Sequence, residues 1–206
     1  MPASLVEQIF AFSVSRRKLI LSLFQILYAL LSAAMVLGIR AAVTGNNYLF
    51  FYNLALLSGK ISVIIFCLVM VPGIARRFGI RSKLVFPLMI YRRYMGISMF
   101  LFALFHASVI RLVSFAQDGF PFSSLLLFEL SGLTALFFLF FMFLTSNDFS
   151  VKYLKFWWHR LHKLIYIIMW LILFHVGLQR ISVWTLLMAA AVTLQVASYF
   201  YSRRSR

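Results

Sequence analysis

Six long apolar segments constrain most strongly what this chain can fold into. Each holds about 20 mostly apolar residues, the length with which a helix crosses the hydrocarbon core of a bilayer. Such a segment folds as a helix, because lipid offers no partner to its backbone N–H and C=O groups. The sequence therefore predicts an all-α integral membrane protein, a six-transmembrane-helix bundle that forms a single domain over residues 1–206. The predicted spans are Leu19–Ile39, Leu54–Ala75, Arg93–Val113, Ser124–Thr145, Leu161–Gln179 and Ser182–Tyr201.

The distribution of charge predicts the surroundings and the orientation of this bundle. The chain has 20 Lys and Arg residues against four acidic ones, and 64% of its residues are hydrophobic, above the roughly 45–50% of soluble domains. The basic residues lie in short clusters between the apolar segments, which indicates membrane lipid and not nucleic acid as the partner. Four of them, Arg40, Lys60, Arg111 and Arg180, fall on one side of the six spans, and the other sixteen share the side of both termini. Because basic loops are retained in the cytoplasm, both termini are predicted to be cytoplasmic.

Two histidines lie deep inside apolar spans. His106 is in the third span and His175 in the fifth, and an ionisable side chain inside a membrane points by default to a functional site. Each lies about 13–14 residues from the inner end of its span, near 20 Å of helix rise, so the two reach a similar depth. Neighbouring helices can supply two axial ligands to one haem iron. The pattern predicts a haem between helices 3 and 5; the alternative is that each histidine only hydrogen-bonds to a neighbouring helix.

Small residues near these histidines bear on the same prediction. Ala103, Ala107 and Gly177 are expected either to leave room for a flat macrocycle or to allow ordinary close packing of helices. Cys67 is the only cysteine, and the sequence contains no C-x-x-C-H motif. A haem would therefore be held non-covalently.

Two further histidines lie at the inner end of the fifth span. His162 is 13 residues before His175, about 20 Å away along an ideal helix, so the two cannot bind the same iron. His162 is thus a candidate ligand of a second, inner haem, which would need a partner of its own. His159 lies one turn away in an aromatic segment typical of a membrane surface. For both, the alternative is an interfacial turn with no ligand role.

Four basic residues are candidates for binding the charged groups of a cofactor. Lys60 and Arg111 lie near the outer ends of the second and third spans, and could pair with the propionates of an outer haem or reach the lipid headgroups. Arg92 and Arg93 could do the same for an inner cofactor, or bind anionic lipid. Glu129 is the only acid within a predicted span, and we expect it to pair with Arg111 or Lys60 in preference to joining a proton path.

Three stretches of the chain carry a family resemblance. They are Ser58-Gly-Lys60 with the span ending at Val71-Pro-Gly-Ile-Ala-Arg76, Arg92-Arg-Tyr-Met-Gly96 leading to His106, and Trp158-His-Arg-Leu-His162-Lys-Leu-Ile-Tyr166 leading to His175. In this order they are similar to the patterns T-G-R with I-T-P-L-x-R, R-R-x-L-G with L-H, and W-x-x-L-H-x-L-x-Y. The chain thus resembles the ferric-reductase-like transmembrane domain superfamily, and within it the MsrQ (YedZ) type of haem-binding subunit. Ser58 and Lys60 replace the Thr and Arg of that pattern.

The resemblance implies a domain with its core at about residues 54–179, in the bacterial inner membrane. It implies haem b, one or two per chain, with His106, His162 and His175 as candidate ligands, and it allows FMN as a second cofactor. Electrons would pass from a cytoplasmic flavin reductase or the quinone pool to a periplasmic molybdopterin oxidoreductase of the MsrP type, which reduces oxidised methionine in envelope proteins. The chain would then be a redox subunit and not a self-sufficient catalyst.

Two other functions remain open. One is a stand-alone transmembrane ferric or oxygen reductase, whose substrate meets the haem at the outer face. The predicted outer loops, Arg40–Asn53, Ser114–Ser123 and Gln179–Ile181, hold Asp118 as their only acid, which disfavours a ferric chelate site. The other is a non-redox transporter or scaffold, and the sequence lacks the pair of Gly/Pro-broken helices that marks many transport sites. No phosphate-binding glycine loop or dinucleotide fingerprint occurs, so a separate protein or small carrier is the expected electron donor.

Overall fold

A computed structural model of the chain describes residues 5–114 and 125–204, and every regular element within them is helical. In these two ranges ten α-helices follow one another, and a π-helical turn, Ser108–Leu112, continues the fifth of them. Asp118 and Ser124, which the sequence assigns to the loop before the fourth span and to its start, lie outside the described residues. The helices are α1 Leu5–Ser15, α2 Arg17–Thr44, α3 Tyr48–Arg77, α4 Val85–Ile90, α5 Arg92–Ala107, α6 Leu127–Leu144, α7 Asp148–Leu154, α8 Phe156–His162, α9 Ile165–Gln179 and α10 Val183–Arg204.

Within the described part of the chain, six helical segments are long and apolar enough to cross a membrane, which agrees with the predicted number of spans. They are α2, α3, α5 with its π-helical turn, α6, α8 together with α9, and α10. The predicted loop at residues 40–53 is wrong, because α2 continues to Thr44 and α3 already begins at Tyr48. In the short turn between them Gly45 has φ +75° and Asn47 has φ +57°. These are the residue types that adopt the left-handed conformation most readily.

Five of the six spans form a closed ring. In the ring α3 packs against α5, α5 against α6, α6 against α9, α9 against α10, and α10 against α3. The remaining span, α2, lies outside this ring in contact with α3 and α5. The third and fifth predicted spans are therefore α5 and α9, which are not neighbours in the ring and approach each other across its interior.

Apolar side chains from all five ring helices fill the interior in one half of the bundle. Phe66 of α3, Phe100 of α5, Leu139 of α6, Ile168 of α9 and Met188 of α10 are buried in one packed cluster. Interiors packed in this way tolerate little displacement of a side chain. The cluster therefore sets the depth and rotation of the two helices that carry the predicted haem ligands.

The first and last described residues, Leu5 and Arg204, lie at the same end of the ring, which we call the terminal end; the opposite end is the far end. Helix α1 was not predicted from the sequence, and it packs there against α2 and α4. Helix α4 also lies at this end, and the hydroxyl of Tyr91 just after it donates to the carbonyl of Ser13 at 2.6 Å. Arg77 at the end of α3 donates to the hydroxyl of Ser198 in α10 at 3.4 Å.

Candidate functional site

The imidazole rings of His106 and His175 meet inside the ring of helices, toward its far end. Their centroids are 6.4 Å apart and their planes are inclined at 77°. His106 lies one residue before the end of α5, and His175 lies four residues before the end of α9. Both side chains are half-buried. The structure thus brings together the two residues that the sequence placed at a similar depth.

Each imidazole is anchored through Nδ1 to a backbone carbonyl of a neighbouring helix. Nδ1 of His106 lies 3.0 Å from the carbonyl oxygen of Ala55 in α3, and Nδ1 of His175 lies 2.8 Å from that of Phe128 in α6. A carbonyl oxygen only accepts, so each Nδ1 donates, and in the neutral imidazole Nε2 then keeps a lone pair. Metal-binding histidines commonly donate their other ring N–H in this way. The helix-to-helix hydrogen bonds of the alternative interpretation are present, and they leave each ring one nitrogen for a metal.

The separation of the two rings matches that of two imidazoles on one metal ion. A metal–imidazole bond is about 2 Å long and the bound nitrogen lies roughly 1.2 Å from the ring centroid, so two rings on opposite sides have centroids about 6.4 Å apart. The observed separation is 6.4 Å. Within residues 5–114 and 125–204, no group of three or more His, Cys, Asp or Glu is placed to hold a metal ion. The site offers two nitrogen donors, which suits a metal whose remaining ligands come from a cofactor.

Two glycines border the imidazoles, and they are not among the small residues expected from the sequence. A Cβ at Gly59 of α3 would lie 2.8 Å from Nδ1 of His106, and a Cβ at Gly132 of α6 would lie 2.5 Å from Nδ1 of His175. Gly177, which was expected either to leave room near His175 or to allow close helix packing, faces Thr185 of α10. Sequence reasoning missed both glycines because they lie 47 and 43 residues before the histidines that they contact.

Arg111 and Glu129 form an ion pair between the end of α5 and the start of α6. Nε and Nη2 of Arg111 both approach Oε1 of Glu129. The other carboxylate oxygen accepts from the backbone N–H of Leu126 at 3.2 Å, so Glu129 also caps α6. The Glu129 side chain is 8% exposed and that of Arg111 is 48% exposed. The expected pairing of Glu129 is confirmed. Its partner is the guanidinium of Arg111, which was also a candidate for binding a haem propionate.

Lys60 lies one residue beyond Gly59, level with the histidine pair. Its side chain is exposed. The sequence placed Lys60 near the outer end of the second span. Helix α3 already begins at Tyr48, so Lys60 lies well inside the helix. It is turned by about 100° from Gly59 around the helix axis. The ammonium group is therefore on a different face from the contact with α5.

The other two predicted cofactor-binding residues lie at the terminal end. Arg93 pairs with the carboxylate of Asp148 at 2.7 Å, and this guanidinium holds the pKa of Asp148 below its ordinary value of 3.8. Arg92 lies within electrostatic range of Arg76 and Arg77. Guanidinium groups bind anionic groups such as phosphate through charge-assisted hydrogen bonds.

The fifth predicted span is not one continuous helix. The backbone N–H groups of Lys163 and Leu164 bond to carbonyls three residues earlier, and this tight turn separates α8 from α9. The predicted span from Leu161 to Gln179 lies within the membrane-spanning segment Phe156–Gln179, but its first residues belong to α8 and those after the turn to α9. As a result His162 belongs to α8, whereas His175 belongs to α9.

His162 and His159 have an environment of their own at the terminal end. Nε2 of His162 lies 3.2 Å from the hydroxyl of Thr145, and its ring stacks on Trp158 with centroids 4.1 Å apart. The indole N–H of Trp158 donates to the carbonyl of Thr145 at 2.9 Å. His159 contacts the same indole edge-on. The structure does not bring His162 into contact with the pair formed by His106 and His175.

A scan against protein-family models, a search of curated proteins and a search of solved structures each found no match to this chain. The class that its fold defines is a helical protein with six segments suited to crossing a membrane. Within that class, the distinguishing feature is the pair of carbonyl-anchored imidazoles inside the helix ring.

Proposed function

We propose that this chain is a haem b-containing membrane subunit for electron transfer, with His106 and His175 as the axial ligands of one haem. The observation that carries the proposal is the pair of imidazoles with Nδ1 anchored and centroids 6.4 Å apart. It agrees with the ligation that the family resemblance implies. His162 is not included, because its Nε2 is next to the Thr145 hydroxyl and its ring is stacked on Trp158.

The donor set favours haem over a bare metal ion. Structural zinc sites take four protein ligands, whereas a porphyrin supplies four nitrogens and needs only two axial ligands from the chain. When bound, the haem would supply a one-electron centre. The residues of the chain that would hold it are the two histidines, through Nε2, while the carbonyls of Ala55 and Phe128 orient the rings and the apolar cluster toward the terminal end would exclude water.

Lys60 is the residue that we propose for a haem propionate. It lies level with the histidine pair, and a long Lys side chain can extend along a helix to reach a charged group. Arg111 acts indirectly in this proposal, because its guanidinium engages Glu129 at the start of α6.

The direction of electron flow and the partners follow from the charge pattern and the resemblance. With both termini in the cytoplasm, electrons enter at the terminal end from a flavin reductase or quinol and leave at the far end. The proposed acceptor is a periplasmic molybdopterin oxidoreductase of the MsrP type. FMN is the second cofactor that we propose, at the terminal end, where Arg92 lies near Arg76 and Arg77 and could pair with its phosphate. Arg93 is less suited, since Asp148 engages it.

The haem proposal is tested by absorption spectra and haem content of the detergent-purified protein. We expect a sharp low-spin b-type α band after reduction and about one haem per chain. His106→Ala and His175→Ala should each lose the haem, and His159→Ala, the matched control, should keep it. Full haem content in His106→Ala, or no haem in the unmodified chain after expression with ample haem, would contradict the proposal.

Electron transfer across the membrane is tested separately in proteoliposomes. A flavin reductase with NADH is enclosed, ferricyanide is added outside, and its one-electron reduction is followed by absorbance. We expect reduction with the unmodified chain and with His159→Ala, and background rates with His106→Ala. If a haem-loaded chain supports no reduction of external ferricyanide, the proposed haem site stands but electron transfer across the membrane is refuted.

A further inference from the structure

The two halves of the histidine site are built in the same way. Nδ1 of His106 donates to the carbonyl of Ala55, and Gly59 follows that carbonyl by four residues. Nδ1 of His175 donates to the carbonyl of Phe128, and Gly132 again follows by four residues. One arrangement thus occurs twice, on different helix pairs: α3 with α5, and α6 with α9.

The spacing of four residues has a physical reason. In an α-helix the carbonyl of residue i accepts from the N–H of residue i+4, so the side chain at i+4 lies over that carbonyl. A carbonyl oxygen has a second lone pair, but a Cβ at i+4 restricts the approach of an outside donor. At Gly59 and Gly132 there is no Cβ, and Nδ1 of the facing imidazole lies only 2.8 Å and 2.5 Å from where one would be.

We propose that Gly59 and Gly132 are positioning residues, each of which opens the carbonyl four residues earlier to the Nδ1–H of the facing imidazole. They thereby fix the tautomer with Nε2 unprotonated and hold each ring at the depth where the two approach each other. Neither glycine touches a cofactor in this account; both act through the histidines. The tautomer stands without haem, and the effects on haem below rest on the proposed function.

The distances predict an order of effects. Ordinary van der Waals contact of a Cβ begins at 3.4 Å, whereas a Cβ would lie 2.8 Å from Nδ1 at Gly59 and 2.5 Å at Gly132. Each imidazole must move to accept an alanine, and the His175 ring must move further. Loss of a partner that orients a metal-binding histidine typically lowers affinity about 10- to 100-fold. We expect a loss in this range for Gly59→Ala and a larger loss for Gly132→Ala.

The reduction potential separates positioning from a general structural defect. An Nδ1–H that donates to a carbonyl makes the imidazole a more basic ligand, and a more basic ligand favours ferric over ferrous iron. Gly59→Ala and Gly132→Ala should therefore raise the midpoint potential of the haem that they retain. Gly73→Ala is the matched control for α3, because it lies 14 residues along nearly the same face and its Cβ would meet nothing within 4 Å. Gly96→Ala in α5 is a second control with the same open surroundings.

The histidine tautomers can be measured in the haem-free, unmodified chain, so this test does not depend on whether the alanine variants fold. The haem-free, unmodified chain is labelled with ¹⁵N-histidine in membranes, and NMR reports which nitrogen of each of its four histidines is protonated. His106 and His175 are assigned by their loss from the spectra of His106→Ala and His175→Ala. Protonation at Nδ1 of both supports the proposal. Protonation at Nε2 of either would overturn it.

The outcomes distinguish this proposal from the haem proposal. If the unmodified chain binds no haem, the proposed function fails. NMR then still tests the tautomers of His106 and His175 that the glycines are proposed to fix. If it binds haem but both alanine variants match Gly73→Ala in affinity and midpoint potential, the haem site stands and the glycines have no positioning role. A raised midpoint potential of the haem in both alanine variants, with unchanged midpoint potentials in the control variants, would establish the positioning role of the glycines.

Discussion

The ion pair between Arg111 and Glu129 should contribute measurably to stability, because one partner is almost fully buried. A charge-assisted hydrogen bond contributes roughly 1.5–3 kcal/mol. Arg111 stays 48% exposed, and solvent screens its charge, so we expect a coupling toward the lower end, about 2 kcal/mol. This corresponds to a factor of about 30 in the unfolding equilibrium constant. Arg111→Met alone should destabilise more than this, because it leaves the Glu129 carboxylate buried without its cation.

A double-mutant cycle measures this coupling. Unfolding of the detergent-solubilised chain is followed for Arg111→Met, Glu129→Gln and the double variant, so that contacts outside the pair cancel. Lys83 and Glu7 form the control pair, with side chains 55% and 48% exposed. Their coupling energy should be about 0–1 kcal/mol, as for other exposed ion pairs. The reasoning is refuted if the effects of Arg111→Met and Glu129→Gln simply add, or if the exposed control pair shows the stronger coupling.

Three further predictions concern other parts of the molecule. Arg93 lowers the pKa of Asp148 in the folded chain, so the stabilisation from this pair is present above the unfolded pKa near 3.8 and is lost as pH falls through the lowered pKa. An NMR titration should show that Arg93→Gln returns the pKa of Asp148 toward 3.8. An unchanged pKa of Asp148 in this variant would contradict the prediction. Trp158→Phe keeps the stacked ring but removes the indole N–H bond to a carbonyl at the end of α6, and thermal unfolding should show a loss of about 1 kcal/mol. In a cysteine-free background, a membrane-impermeant maleimide should label Asn46→Cys on intact cells and Arg204→Cys only after permeabilisation; the reverse result would invert the predicted orientation.

The six spans could be predicted because their signal is local and strong. Each is a run of apolar residues of membrane-spanning length, and a run of that kind needs no partner to be recognised. The depth of His106 and His175 could also be predicted, since it depends only on residue counts along two helices. Their meeting at 6.4 Å rests on these counts and on the packing of five helices.

Other features depend on contacts that the sequence does not display. Gly59 and Gly132 are ordinary glycines in apolar runs until their neighbours across the helix interface are known. The turn at Lys163 and Leu164 interrupts a segment whose composition alone would continue as a helix. The start of α3 at Tyr48 did have a signal that was overlooked, because a Gly-Asn-Asn sequence before an aromatic run is a strong indication of a tight turn.

The central claim is that two imidazoles from α5 and α9 bind one haem, and low-temperature EPR of the oxidised, purified chain tests it most directly. We predict a low-spin ferric signal from the unmodified chain. Any haem retained by His106→Ala or His175→Ala should give a high-spin signal, because one axial position has lost its imidazole. A high-spin signal from the unmodified chain, or a low-spin signal unchanged in both variants, would contradict ligation by this pair.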